Sequence, residues 1–181
     1  WFEGSGERTA DDARIMGSRL VRGARSWSAP FLLADTRGLP DCNPVLFMSP
    51  GGKLFLVWIA VEANRWEASL LRCRTTRDYR SPGAPRWRWQ DDILLKPDSS
   101  FENVVTAAFR ELPDSAGWGA YAPSYGTLIT RAAGDPVKRS TGWMTRQPPL
   151  VLPSGRILLP YSSDGFSFSS DENTSALKSL A

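Results

Sequence analysis

The stretch Asn43-Pro44-Val45-Leu46-Phe47-Met48, Ser49-Pro50-Gly51-Gly52, Lys53-Leu54-Phe55-Leu56-Val57-Trp58 reads as a β-hairpin. Two runs of strand-forming residues flank a Pro-Gly turn, and glycine supplies the positive φ such a turn needs. The pattern recurs as Gln147-Pro148-Pro149-Leu150-Val151-Leu152, Pro153-Ser154-Gly155, Arg156-Ile157-Leu158-Leu159-Pro160-Tyr161. Lys53 and Arg156 hold the same place in the two copies, at an offset of 103 (156 − 53), and Pro50 and Gly52 match Pro153 and Gly155.

A second segment repeats around this hairpin. In Ser26-Trp27-Ser28-Ala29-Pro30-Phe31-Leu32-Leu33 and in Trp87-Arg88-Trp89-Gln90-Asp91-Asp92-Ile93-Leu94-Leu95, a Trp precedes a Leu-Leu pair by a short spacing. Residues 43–48, 53–60, 67–75 and 87–95 then form four consecutive strands, residues 1–34 the end of an earlier unit, and residues from 146 the start of a third. A recurring four-stranded antiparallel sheet is the unit of a β-propeller, because each sheet leaves two apolar faces that its neighbours around an axis cover. A single β-sandwich also has short, evenly spaced strands, but the recurrence of hairpin and Trp segment in one order favours the propeller.

Residues 99–140 interrupt the rhythm. Phe101, Val104, Val105, Ala108, Phe109 and Leu112 fall on one face at helical spacing, with Ser99 or Ser100 as cap and Pro113 as stop. A weaker helical pattern runs from Pro123 to Ala133. The fold class is therefore all-β with a helical insertion. The unit spans residues 1–168, and the polar stretch 169–181 reads as a divergent or disordered tail.

Composition narrows the chemistry. The chain has 181 residues, a net charge of +3 and no histidine, which removes histidine-based triads and histidine-ligated zinc. Two cysteines, Cys42 and Cys73, are too few for a thiolate metal site, and no metal or cofactor is expected. No apolar run approaches the roughly 18–20 residues of a spanning helix. Of the 22 basic residues only four are lysines, and arginine suits bidentate capture of carboxylates. Along the chain the basic residues do not cluster with stacking aromatics, so no nucleic-acid partner is expected. The first residue is Trp1, without a signal peptide, which reads as a piece of a longer protein and leaves the compartment open.

The Trp segments carry a resemblance. Ser26-Trp27-Ser28-Ala29-Pro30 resembles the end of an Asp-box, the Ser-x-Asp-x-Gly-x-Thr-Trp turn between the outer strands of sialidase blades. The first copy, Ser18 to Trp27, has lost the acidic residue. The second keeps Thr76-Arg77-Asp78, Gly83 and Trp87, with extra residues between. With Asp41-Cys42-Asn43-Pro44-Val45-Leu46-Phe47 and Gly142-Trp143-Met144-Thr145-Arg146, the chain resembles the sialidase-like, Asp-box-repeat (BNR) proteins over nearly all of residues 1–168.

That resemblance implies a fragment of a six-bladed propeller from an exo-glycosidase that removes sialic acid or a related acidic sugar from glycoconjugates. A non-catalytic propeller binding glycans or proteins is the alternative. In the family an arginine triad holds the substrate carboxylate, an Asp on a first-blade loop protonates the leaving oxygen, and a Tyr backed by a Glu is the nucleophile, an exception to the usual carboxylate pair. The loop Gly4 to Asp12 occupies the acid/base position, with Asp11 and Asp12 as alternative candidates. Asn43 begins an inner strand with Asp41 just before it, Arg146 holds the equivalent place in the next copy, and Arg65 follows the inner hairpin; these four are the candidate sugar-binding residues. Trp58, Trp66, Trp87, Trp89 and Trp143 are read as packing.

Overall fold

The computed structural model describes residues 1–111, 122–145 and 147–163. Strands β1 (Phe2–Glu3), β2 (Arg14–Gly17) and β3 (Phe31–Ala34) form an antiparallel sheet in that order. β4 (Asp41–Met48), β5 (Leu54–Val61), β6 (Ser69–Thr76) and β7 (Trp89–Asp92) form the next, again antiparallel and in chain order. Helices α1 (Ser100–Glu111) and α2 (Ala122–Gly134) follow. Then come β8 (Trp143–Thr145), β9 (Leu150–Val151), β10 (Ile157–Leu158) and β11 (Tyr161–Ser163), which pair as β8 with β11 and β9 with β10. No helix among the described residues is long and apolar enough to cross a membrane.

The repeat seen in the sequence is a repeat in space. Phe47 pairs with Phe55 and Met48 with Leu54; at the same offset Leu150 pairs with Leu158 and Val151 with Ile157. The turns match bond for bond. Ser49 N–H donates to Lys53 O at 2.9 Å and Gly52 N–H to Ser49 O at 2.9 Å, while Leu152 N–H donates to Arg156 O at 2.9 Å and Gly155 N–H to Leu152 O at 2.8 Å. Gly52 and Gly155 sit at φ of 71° and 82°, where a Cβ is strained.

β5 explains how the sheets associate. Successive strand residues point to opposite faces, and both faces of β5 are buried. Leu56 and Trp58 join Ile15, Leu33 and Ala34 of the preceding sheet in one core. Val57, Ile59 and Val61 join Cys42, Leu71, Cys73, Trp66 and Met144 in a second core on the other side. A sheet covered on both faces by its chain neighbours is propeller-like; a two-layer sandwich covers one face of each sheet. Deleting a fully buried aromatic such as Trp58 costs about 3–5 kcal/mol.

The Asp-box-like turns close the outer strands. Thr76 Oγ1–H donates to Arg86 O at 2.6 Å and accepts Asp78 N–H at 2.9 Å, and Trp87 donates its indole N–H to Leu33 O at 3.1 Å. In the other copy Ser18 Oγ–H donates to Ser28 O at 2.6 Å, and Trp27 is 65% exposed.

Three expectations need correction. β7 covers only Trp89–Asp92, and Trp89 is half exposed rather than packed, because β7 is the edge strand of its sheet among the described residues. The inner strand begins at Asp41, two residues early. The cap of α1 is Asp98, whose carboxylate accepts the Ser100 N–H at 2.8 Å and is held below the usual carboxylate range by the Ser100 hydroxyl and N–H. At the other end of the excursion Arg139 donates to Gly134 O at 2.9 Å and, through Nε, to Pro97 O at 2.8 Å, satisfying carbonyls at the close of α2. Phe101 packs edge-on against Trp143, at 6.3 Å between ring centroids. The 169–181 tail lies outside the described residues.

Candidate functional site

Antiparallel strands send alternate loops to the same end of a sheet. The β1–β2 loop (4–13), the β3–β4 link (35–40) and the β5–β6 loop (62–68) therefore gather where β4 begins. The backbone ties them: Asp41 N–H donates to Ala13 O at 2.8 Å and Val61 N–H to Pro40 O at 2.9 Å.

Asp12 is fully engaged. Its carboxylate accepts the Ser5 N–H at 3.0 Å and the Ser5 hydroxyl at 3.0 Å, and these bonds hold it below the ordinary aspartate range. A general acid must hold a proton near neutral pH, and this environment works against that. Asp11 is exposed and, among the described residues, hydrogen-bonds only to the Asn64 amide, at 3.4 Å from Nδ2.

Asn64 adds a side-chain tie between the two sheets at this end. Its Nδ2 also donates to Arg8 O at 2.8 Å, and Arg8 returns a bond to Asn64 O at 3.4 Å. Ala63 and Asn64 both adopt left-handed φ, 50° and 54°, so the β5–β6 loop doubles back sharply here. Asparagine tolerates that region better than most residues; alanine does not. Arg8 also stands 5.8 Å from the Trp66 ring centroid, above a side chain that packs into the core.

Arg65 is exposed and paired with Glu67 through NH2 at 2.8 Å and Nε at 3.0 Å. Burial alone would raise Glu67, but its own backbone N–H and Arg65 outweigh it and keep it below the usual glutamate range.

Asp41 is wholly buried. Oδ2 accepts Thr36 N–H at 2.7 Å and Oδ1 accepts the Trp58 indole N–H at 2.9 Å. Burial pushes its pKa up, partly offset by Thr36, Trp58 and Arg72. Both oxygens are thus spent inside the protein, and no face of the carboxylate is open.

Asn43 sits two residues on, at a register shift in β4 between Cys42 and Val45, with φ of 48°. Such a bulge re-aims the strand. Asn43 O accepts the Thr145 hydroxyl at 2.7 Å, and its amide lies 3.7 Å from Met144 Sδ. The first strands of two successive sheets meet at this residue. Arg146, next after Thr145, lies outside the described residues.

The structure thus brings Asp11, Arg65 and Asn43 to one end and places Asp41 behind them. Sequence reasoning missed Asn64, Arg8, Thr36 and Glu67. Asn64 had one usable signal, an asparagine in a short loop between two strands, which often marks a left-handed turn. The two cysteines are buried thiols, raised by burial to about 12 for Cys42 and about 11 for Cys73, and have no nucleophilic character here.

Successive antiparallel sheets, two sharing a matching hairpin and two sharing an Asp-box-like outer turn, define a propeller-like repeat protein. The BNR repeat-like domain model matches residues 1–142, and the chain belongs to that family, in line with the sialidase-like Asp-box superfamily. No curated protein matches the chain.

Proposed function

We propose that this chain is part of a six-bladed propeller that hydrolyses a terminal acidic sugar, sialic acid or a relative, from glycoconjugates. The observation that supports it best is the contrast between two adjacent carboxylates. Both oxygens of Asp12 are taken by Ser5, whereas Asp11 faces solvent and, among the described residues, hydrogen-bonds only to Asn64. On this reading Asp11 donates the proton to the leaving oxygen. Asn43, Arg65 and Arg146 supply hydrogen bonds and positive charge to the sugar and its carboxylate. Asp41 acts behind them, fixing the backbone that carries Asn43. The chemistry is proton transfer and charge pairing by side chains, and no metal or cofactor is invoked.

The alternative, a propeller that binds glycans or proteins without cleaving them, has its own support. Of the three candidate aspartates, two have their oxygens occupied, and retaining hydrolysis needs a partner for Asp11. The test is release of a fluorogenic sialoside by the intact protein and by its Asp11→Asn variant. Release that falls at least a hundredfold in the variant supports hydrolysis; no release by the unaltered protein, with sialoglycan binding retained, supports the binding reading.

A further inference from the structure

The hairpin turns collect at the end opposite the candidate site. Arg19 donates to Gly83 O at 3.1 Å, so the turn 18–30 lies against the turn 77–88. Arg77 reaches Gly51 O and the Tyr79 hydroxyl meets Met48 Sδ at 3.5 Å, so the turn 77–88 lies against the turn 49–53. These three turns carry three arginines, four arginines and Lys53, against a single acid, Asp78. Asp78 is already paired with Arg88 at 3.1 Å. The matching turn of the next copy adds Arg156. This end is therefore more positive than the whole chain, whose net charge is +3, and the remainder is net negative.

Arg22, Arg25, Arg80 and Arg86 are exposed, and their guanidinium groups make no hydrogen bond or ion pair within the described residues. They hold no part of the fold together. Leu20 and Val21 stand among them, 48% and 62% exposed. Exposed aliphatic side chains flanked by arginines gain nothing on a hydrated phosphodiester backbone or a sulfated sugar. They gain by entering the headgroup–acyl boundary of a bilayer, where arginines pair with anionic headgroups.

We propose that this turn-bearing end docks peripherally on an anionic lipid surface, with the arginines on headgroup phosphates and Leu20 and Val21 at the acyl boundary. The test is co-flotation of the chain with vesicles on a density gradient, in which aggregated protein sinks. The probes are phosphatidylcholine vesicles with and without 30% phosphatidylglycerol, a composition in the range where surface charge recruits basic patches. Flotation is expected only with the anionic vesicles. It should fall several-fold in high salt, at least tenfold on joint Arg22→Glu, Arg25→Glu, Arg80→Glu and Arg86→Glu substitution, and measurably on Val21→Ser. A control with the same change in net charge, Arg37→Glu, Lys96→Glu, Arg110→Glu and Arg131→Glu, should float as the unaltered chain does. Equal flotation with neutral vesicles, no flotation at all, or equal loss in the control overturns the proposal. So does tighter binding to single-stranded DNA or heparin than to the anionic vesicles at one salt concentration.

Discussion

The Trp58 indole N–H points at the Asp41 carboxylate from 2.9 Å, and both side chains are wholly buried. Trp58 also lies beneath two guanidinium groups, Arg72 at 5.6 Å and Arg74 at 5.2 Å from its ring centroid. Arg72 in turn donates to Thr36 Oγ1 at 3.0 Å and pairs with Asp92 at 2.9 Å. One polar chain thus runs from the first strand of the sheet to the last, through the blade rather than around it.

This arrangement makes stability depend on pH. Burial raises Asp41 above its unfolded value of 3.8, so the folded state binds the proton more tightly than the unfolded state. Its contribution is fully present below pH 3.8 and is lost as pH rises through the higher folded value. Asp41→Asn should remove that slope while losing one hydrogen bond, because an amide NH2 would face an N–H donor. Urea midpoints from pH 3.5 to 8 should fall with pH by less in the variant; parallel curves would contradict the account. Trp58→Phe leaves Asp41 short of a donor and should cost about 1–3 kcal/mol at neutral pH.

The acid-side behaviour of Asp12 has the opposite sign. Ser5 lowers its folded pKa, so ordering of the 4–13 loop is present above pH 3.8 and is lost as pH falls through the lower folded value. Hydrogen exchange at the Ser5 amide should be protected at pH 5 and speed up, relative to its intrinsic rate, on acidification. Asp12→Ala should abolish the protection at pH 5, while Asp11→Ala should leave it intact.

Gly51 and Gly52 should differ on substitution although they are neighbours. Only Gly52 has positive φ, and the space around its missing Cβ is open, the nearest atom standing 3.9 Å away. Gly52→Ala should cost about 1 kcal/mol from backbone strain alone, and Gly51→Ala much less. Gly155→Ala should reproduce the Gly52 result, since the two turns share the same bonds. Chemical denaturation of the three variants compares them directly.

Ser69 offers a change in the other direction. Its hydroxyl is buried without a hydrogen-bond partner among the described residues. Ser69→Ala removes an unsatisfied polar atom and should be neutral or stabilising by up to about 1 kcal/mol. A loss above that size would mean the hydroxyl has a partner, and would show as a lower denaturant midpoint.

What was legible in the sequence was local or periodic. The Pro-Gly hairpin announced itself because turn chemistry and strand chemistry sit within sixteen residues, and its second copy confirmed the register. The helical excursion announced itself through apolar spacing. The role of Asp41 did not, because its partner Trp58 is 17 positions away and becomes a partner only when β4 lies beside β5. The basic end was missed for the same reason. Its arginines lie in turns separated by whole strands, and only antiparallel folding brings Arg19 to Gly83. Six blades, the sugar and the catalytic roles rest on resemblance, since Arg146 lies outside the described residues and the site spans more than one sheet.

Arg139 holds Pro97 and Gly134 with one guanidinium. The helical excursion therefore leaves and rejoins the body through a single gate. A tether of a few residues between those points should replace the whole excursion without pulling on the strands beneath, which makes this doorway a natural port for grafting a foreign domain.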